Sequence, residues 1–327
     1  VLSLFKNNSP FTVLILFIFT LLVKLQALLH PVLPMPVPQH FFYNGMLAGL
    51  HYVFGKVAFA YTFLALLLTF IQALYVNSIT NRHKMFNRFT YIPAFVFLLL
   101  GSVYPTFSQF SEPLIINWFL LAALDTMFGF TQTTQPRKLI YNAGFFLCLT
   151  ALFQFSFLAF FLLLLVAMVL FRPVNLAEWT VAMMGYLTPF YITACLLFLA
   201  DGLHLLPQWA HIGFSITSHL PTTRYLVISI SGIVLLLFAG IYAMQGNVAM
   251  SNIYVRRDWT AISFYLILAV VGAFITDDGV KGSWLLVIPP ISIVVAHALQ
   301  MEKNRRFCNF IFYFSLLYLI LCLFIPK

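Results

Sequence analysis

The amino-acid sequence predicts an all-α, polytopic integral membrane protein. It reads as a single membrane domain over residues 1–327, with no soluble domain. Three observations carry that expectation. Hydrophobic residues make up 62% of the chain and charged residues only 8%, where a soluble domain carries about 25% charged residues. Mean hydropathy is +0.99. Long apolar runs alternate with short loops, and those loops hold most of the Lys and Arg. The net charge of +9 then belongs to loops at a membrane surface and does not point to nucleic acid.

Threaded in order, the chain gives about eleven crossings. Lys6 precedes a span at about 10–29, expected to be uncleaved because Leu29-His30-Pro31 is a poor signal-peptidase site. Prolines 31, 34, 36 and 38 deny a helix and favour an extended segment. Residues 41–54, rich in aromatic rings, suit a short helix lying at the membrane interface. Crossings follow at about 56–76, 91–105 and 113–130.

The stretch 139–171 decides the sidedness of the rest. It holds 33 residues without a formal charge, between Arg137-Lys138 and Arg172-Pro173. One helix of that length would run about 50 Å at ~1.5 Å per residue, against a hydrocarbon core of ~30 Å. It would also put basic flanks on both sides. A hairpin of two short helices, 139–153 and 155–171, keeps both flanks on one side. Further crossings are expected at about 177–200, 224–245, 259–276, 283–299 and 307–325, with the N-terminus inside and the C-terminus outside.

The basic residues support that parse. Lys6, Arg82, Lys84, Arg88, Arg137, Lys138, Arg172, Arg256, Arg257, Lys303, Arg305 and Arg306 fall inside; only Arg224, Lys281 and Lys327 fall outside. Cys148, Cys195, Cys308 and Cys322 all lie in apolar spans, where thiols behave as small hydrophobes. Neither a disulfide framework nor a metal site is expected.

Polar chemistry gathers on the expected external face. His30, His40, His51, His204, His211 and His219 lie there or at its border, with Glu112, Asp201, Asp277 and Asp278. Such residues either line a polar groove between loops 30–55 and 201–222 or simply meet water and head groups. Lys24 and Lys56 flank the first loop, and either snorkel to head groups or present cations to a lipid phosphate. Asp125 is the one acid well inside an expected span. It serves either as a structural partner for Arg137, Lys138 or loop 77–88, or as a proton-coupling group. The chain contains no nucleotide-binding P-loop, G-x-S-x-G or H-E-x-x-H sequence.

The order of parts resembles the polytopic membrane glycosyltransferases of the GT-C type. The likeness rests on the first external loop with its interfacial helix at 30–55. It also rests on the paired segment YNAGFFLCLTALFQFSFLAFFLLLLVAMVLFRP and the following EWTVAMMGYLTPFYITACLLF. It covers about the first 200 residues and is one of architecture. The Phe-rich sequence is also similar to a family of multi-spanning inner-membrane proteins from Bacteroidota. The resemblance implies a bacterial inner-membrane protein that meets polyprenyl phosphate or other membrane lipids, with no cofactor. In GT-C enzymes the first external loop carries an acidic residue, but residues 7–111 here contain no Asp or Glu.

The function expected first is therefore a non-catalytic or catalytically diverged membrane subunit of an envelope assembly, binding lipid or a partner protein through the external groove. A second expectation is an active transferase using a polyprenyl-phosphate-linked sugar. There His30, His40, His51, Asp201 and His204 would do acid–base work, and Lys24, Lys56 and Arg224 would contact the phosphate. A third is a proton-coupled transporter using Asp125.

Overall fold

The computed structural model describes residues 2–6, 9–37, 40–131, 133, 135–173, 175–210, 224–247, 251–275, 282–300 and 305–324. Among them the structure is helical, with no strand. The first half contains α1 (Leu2–Lys6), α2 (Pro10–Val23), α3 (Leu25–Leu29), α4 (Phe41–Phe54), α5 (Ala58–Arg82), α6 (Ile92–Leu100), α7 (Glu112–Phe128) and α8 (Pro136–Phe153). The second contains α9 (Phe161–Phe171), α10 (Leu176–Leu199), α11 (Leu205–Trp209), α12 (Arg224–Asn247), α13 (Ile253–Ile275), α14 (Ile288–Gln300) and α15 (Arg305–Phe324). Short 3-10 turns lie at Pro105–Ser108, Gly129–Thr131, Phe155–Phe160 and Ser283–Val287.

Seven helices among the described residues are long and apolar enough to cross a membrane. They are Ala58–Arg82, Glu112–Thr131, Leu176–Leu199, Ile228–Gln245, Ile253–Ile275, Ser283–Gln300 and Arg305–Leu323. The difference from the eleven expected lies in pieces that the apolar pattern cannot tell from crossings. The first span breaks at Lys24 into α2 and α3. The span expected at 91–105 is a helix of only 9 residues, α6, about 14 Å at ~1.5 Å per residue and too short to cross ~30 Å of hydrocarbon. All of α6 is buried, so it is a half-helix inside the bundle. Large apolar side chains such as Met184, Leu196, Phe238, Phe274 and Phe310 are instead exposed on α10, α12, α13 and α15. That is the surface a bilayer covers.

The stretch 139–171 turns back at Gln154, whose backbone is extended (φ −141°, ψ 120°). Contacts locate its ends. Phe171, closing α9, packs on Phe128 and Phe130 at the end of α7. The tip lies far from them, with Phe153 on Phe42 of α4 and Phe155 on Trp209 of α11. Both arms therefore end among the same basic residues: Glu178, opening α10, meets Arg172 and feels Arg137. Glu178 lies three residues after the cap Asn175, whose side chain accepts from the Ala177 amide. The hydrogen-bonded carboxylate pushes the Arg172 guanidinium still higher.

Other contacts assign the remaining ends. At the basic end the 82–91 segment meets three elements: the Tyr91 amide donates to Phe5, Phe86 packs on Trp259 and His297, and Gln300 donates to the Arg88 carbonyl. At the opposite end residues 31–37 are non-helical, and the Asn44 amide pairs with both the N–H and C=O of Val37. That pairing holds the proline segment against α4. Gly55 then ends α4 at φ +60°, a conformation that favours glycine.

Close approach of α8 and α10 depends on two further glycines. A Cβ at Gly185 would meet the Tyr141 carbonyl oxygen at 2.3 Å, and one at Gly144 the Ala182 carbonyl oxygen at 2.8 Å. Small residues let membrane helices touch along their backbones. Gly185→Ala should therefore destabilise the protein by about 1–3 kcal/mol, the usual range for overpacking. Gly49→Ala, where nothing lies within 4 Å, should be neutral or slightly stabilising through helix propensity. Thermal unfolding in detergent, followed by tryptophan fluorescence, measures both.

Candidate functional site

The break between α2 and α3 turns one side chain inward. Lys24 sits between the two helices and is only 2% exposed. Its Nζ donates to the Thr69 hydroxyl (3.0 Å) and, at 3.5 Å, to the Phe107 carbonyl. Thr69 passes its own proton to the Ala65 carbonyl, so its oxygen is available as an acceptor. Among the described residues no carboxylate lies within ion-pair distance of Lys24. Of the two expectations for Lys24, snorkelling to head groups does not describe this buried side chain.

Lys24 lines a cavity of about 180 Å³ together with His30, Thr62, Ser102, Ser108 and Gln109. Five chain segments meet there: the α2–α3 break, the first loop, the start of α5, the 101–111 connection and the end of α15, which contributes Leu323. His30 is exposed, so it stands at the rim.

The first loop finds its acid one residue beyond the acid-free stretch. His40, at the N-cap of α4, places Nδ1 2.5 Å from Oε2 of Glu112. An ionised Glu112 would accept from the Nδ1–H tautomer of His40. Glu112 is the first residue of α7 and is 3% exposed. Its charge is favoured there by the helix N-terminus and by the imidazole.

The other expected site residues do not join this pair. His51 follows Tyr43 and Leu47 on one stripe of α4, its ring 5.5 Å from that of Tyr61. Its buried Nε2 has no hydrogen-bond partner among the described residues. Lys56, Asp201 and His204 are exposed; Asp201 occupies a turn with φ +51°. Arg224 opens α12, and the segment 211–223 with His211 and His219 lies outside the described residues, as do Asp277 and Asp278.

Among the described residues, 30–55 and 201–210 meet through aromatic rings. Trp209 packs against Phe41 of α4, Phe155 at the hairpin tip and Phe190 of α10. Its Nε1 is buried without a hydrogen-bond partner among the described residues. No group of three or more His, Cys, Asp or Glu side chains could hold a metal ion among the described residues.

Asp125 belongs to the basic end. Its Oδ2 accepts from Arg82 Nη1 (2.7 Å) and Tyr75 Oη (3.3 Å), and its Oδ1 from His83 Nε2 (3.1 Å). Arg82 and His83 lie in the 77–88 segment that sequence reasoning named as one of three sources, whereas Tyr75 sits earlier on α5. Such a network ties α5 to α7. Sequence reasoning missed two further groups there. Asp258 is buried in the second turn of α13, and half-buried His297 stacks edge-on with Trp259. Asp258 follows Arg256 and Arg257 and reads as loop; only the observed helix start at Ile253 makes it part of a span.

The Asp125 network predicts unequal costs. Asp125→Asn weakens bonds to three donors at once and should lower stability by about 1–3 kcal/mol. Arg82→Gln should cost less than about 1 kcal/mol, because that guanidinium is 57% exposed. Melting temperatures of the two variants in the same detergent test the order.

No curated protein and no solved structure matches the chain. Residues 36–327 match DUF6427, a family of unknown function. The match spans most of the chain, from the proline segment through the last helix, and the protein belongs to that family.

Proposed function

We propose that this DUF6427 protein is a non-catalytic, or catalytically diverged, membrane subunit of a bacterial envelope assembly. In this reading it descends from a GT-C-like architecture and sits in the inner membrane with its basic end in the cytoplasm. Its histidine-rich end then faces outward, where it binds membrane lipid or a partner protein. The grouping of Lys and Arg loops at one end of the bundle supports this sidedness.

One observation carries the proposal: among the described residues, those able to do acid–base chemistry are dispersed, and residues 30–55 and 201–210 meet through rings. General acid–base catalysis needs its groups within reach of one reacting centre. His40 is engaged with Glu112, His51 lies against Tyr61, and Asp201 and His204 are exposed on a separate segment. Trp209 closes the space between Phe41, Phe155 and Phe190. A second reading, an active transferase on a lipid-phosphate donor, draws its support from the His40–Glu112 pair, since a carboxylate can orient an imidazole for proton transfer.

Complementation of a deletion strain separates the two. The variants His40→Gln, His51→Ala, Asp201→Ala and His204→Ala are each expected to restore the wild-type phenotype at unchanged protein level. Purification in a mild detergent is expected to recover a stoichiometric membrane partner. Loss of complementation in His40→Gln together with Asp201→Ala, with protein level maintained, would shift the assignment to the transferase.

A further inference from the structure

Lys24 presents an imbalance of charge. Taking an ammonium out of water costs several kcal/mol even after the protein relaxes, and neutral hydrogen bonds recover only part of it. Here the recovery comes from one hydroxyl at 3.0 Å and one carbonyl at 3.5 Å. An ammonium carries three protons, so its hydrogen-bonding capacity extends beyond those two acceptors. The same side chain lines the cavity, and although Thr62 and Ser102 donate to carbonyls of their own chain segments, other polar walls are side chains that can donate. Ser108 and Gln109 bring a hydroxyl and an amide, and His30 at the rim brings an imidazole.

The volume is informative as well. About 180 Å³ holds roughly six water-sized groups at ~30 Å³ each, which suits a tetrahedral oxyanion with a short substituent. Val23, Ala27, Val32 and Leu323 give the walls an apolar side, and His30, exposed, marks where a substituent would leave.

We propose that this cavity is a binding site for a phosphate group. Lys24 supplies the charge, and Ser108, Gln109 and His30 supply further hydrogen bonds. The inference rests on the lipid-binding reading above and specifies its chemistry: the occupant is a phosphomonoester-like oxyanion, carried either by a lipid head group or by free phosphate. The site lies on α2, α3, α5 and the 101–111 connection, apart from the aromatic closure around Trp209. It needs no catalytic residue. A bound phosphate would fasten the first loop to the bundle core, because its ligands come from both.

The test uses the full chain, exchanged into lipid-free detergent and followed by tryptophan fluorescence on heating. Phosphatidic acid in mixed micelles, phosphatidylcholine in the same micelles, and inorganic phosphate are the three probes. Wild type should be stabilised by phosphatidic acid and not by phosphatidylcholine. A matching shift with inorganic phosphate alone would identify free phosphate as the source. Lys24→Met keeps the side chain's length without its charge, so without ligand it should melt at the same temperature as wild type or higher. It should bind phosphatidic acid roughly tenfold to a hundredfold more weakly, the loss of a charge-assisted contact. Gln109→Glu provides a second variant should the first fail to fold. Its carboxylate takes the anion's place, raises the ligand-free melting temperature and removes the phosphatidic acid shift.

The site is overturned if neither phosphatidic acid nor inorganic phosphate shifts wild type. It is equally overturned if Lys24→Met, or Gln109→Glu in its place, responds as wild type does. A Lys24→Met protein that loses the shift yet fully complements the deletion strain leaves the site standing and removes lipid binding from the functional proposal.

Discussion

Gln154 leaves helical geometry, and the positions of the later elements depend on that departure. A membrane helix cannot end in hydrocarbon without satisfying its terminal N–H and C=O groups, so irregular backbone survives at depth only where protein surrounds it. Gln154 meets that condition. It is buried, its N–H donates to the Thr150 carbonyl, and its own carbonyl accepts from the Phe157 amide. The 3-10 turn at Phe155–Phe160 carries the chain round, and Tyr186 of α10 donates to the Leu158 carbonyl. With both arms returned to the basic end, Arg172 can meet Glu178 and α10 can start beside α8. A continuous helix through 154 would place Arg172 far from Arg137 and invert every loop that follows.

The same accounting explains the polar face of α5. Thr62, Thr69, Gln72, Tyr75 and Arg82 run down this helix from the Lys24 cavity to Asp125. The threonines donate to carbonyls of their own helix, Gln72 donates to the Leu114 carbonyl of α7, and Tyr75 and Arg82 donate to Asp125. The Gln72, Tyr75 and Arg82 bonds tie α5 to α7. A proton-coupled acid must change partners as it cycles, whereas Asp125 is held by three donors of which one, His83, is buried. That geometry favours its role as a fastening between helices over the transport role.

What the sequence made legible was set by long-range constraints, and what it hid was set by packing. Class, basic-loop grouping and the turn at Gln154 follow from hydrocarbon thickness and charge placement, which act on whole stretches of chain. The half-helix α6 did not follow, because IPAFVFLLL is as apolar as a crossing and only its length betrays it. Lys24 was recognised as a cation near the membrane border. Its inward turn depends on a one-residue break between two apolar helices, for which the sequence offers no glycine or proline. Trp209 and Phe41 are separated by a long stretch of chain, and nothing local announces their contact. The Gly144–Gly185 approach is visible only once α8 and α10 are known to be neighbours.

The acid-free first loop and the buried lysine are parts of one chemical situation. A carboxylate at a lining position such as Ser108 or Gln109 would give Lys24 an internal partner and close the cavity with a salt bridge. Without one, the nearest acid along the chain is Glu112, and that carboxylate is held by His40 at the mouth of α4. The two charges are kept apart by the 105–111 connection, whose Phe107 carbonyl faces Lys24 while its far end delivers Glu112 to His40. Separation of this kind costs stability in an empty protein, since each charge is desolvated without the other. It becomes useful if the missing negative charge arrives from outside the chain, because an anion would give Lys24 the charged partner that the chain does not supply. The absence of an acid from residues 7–111 would then leave Lys24 open to a phosphate group.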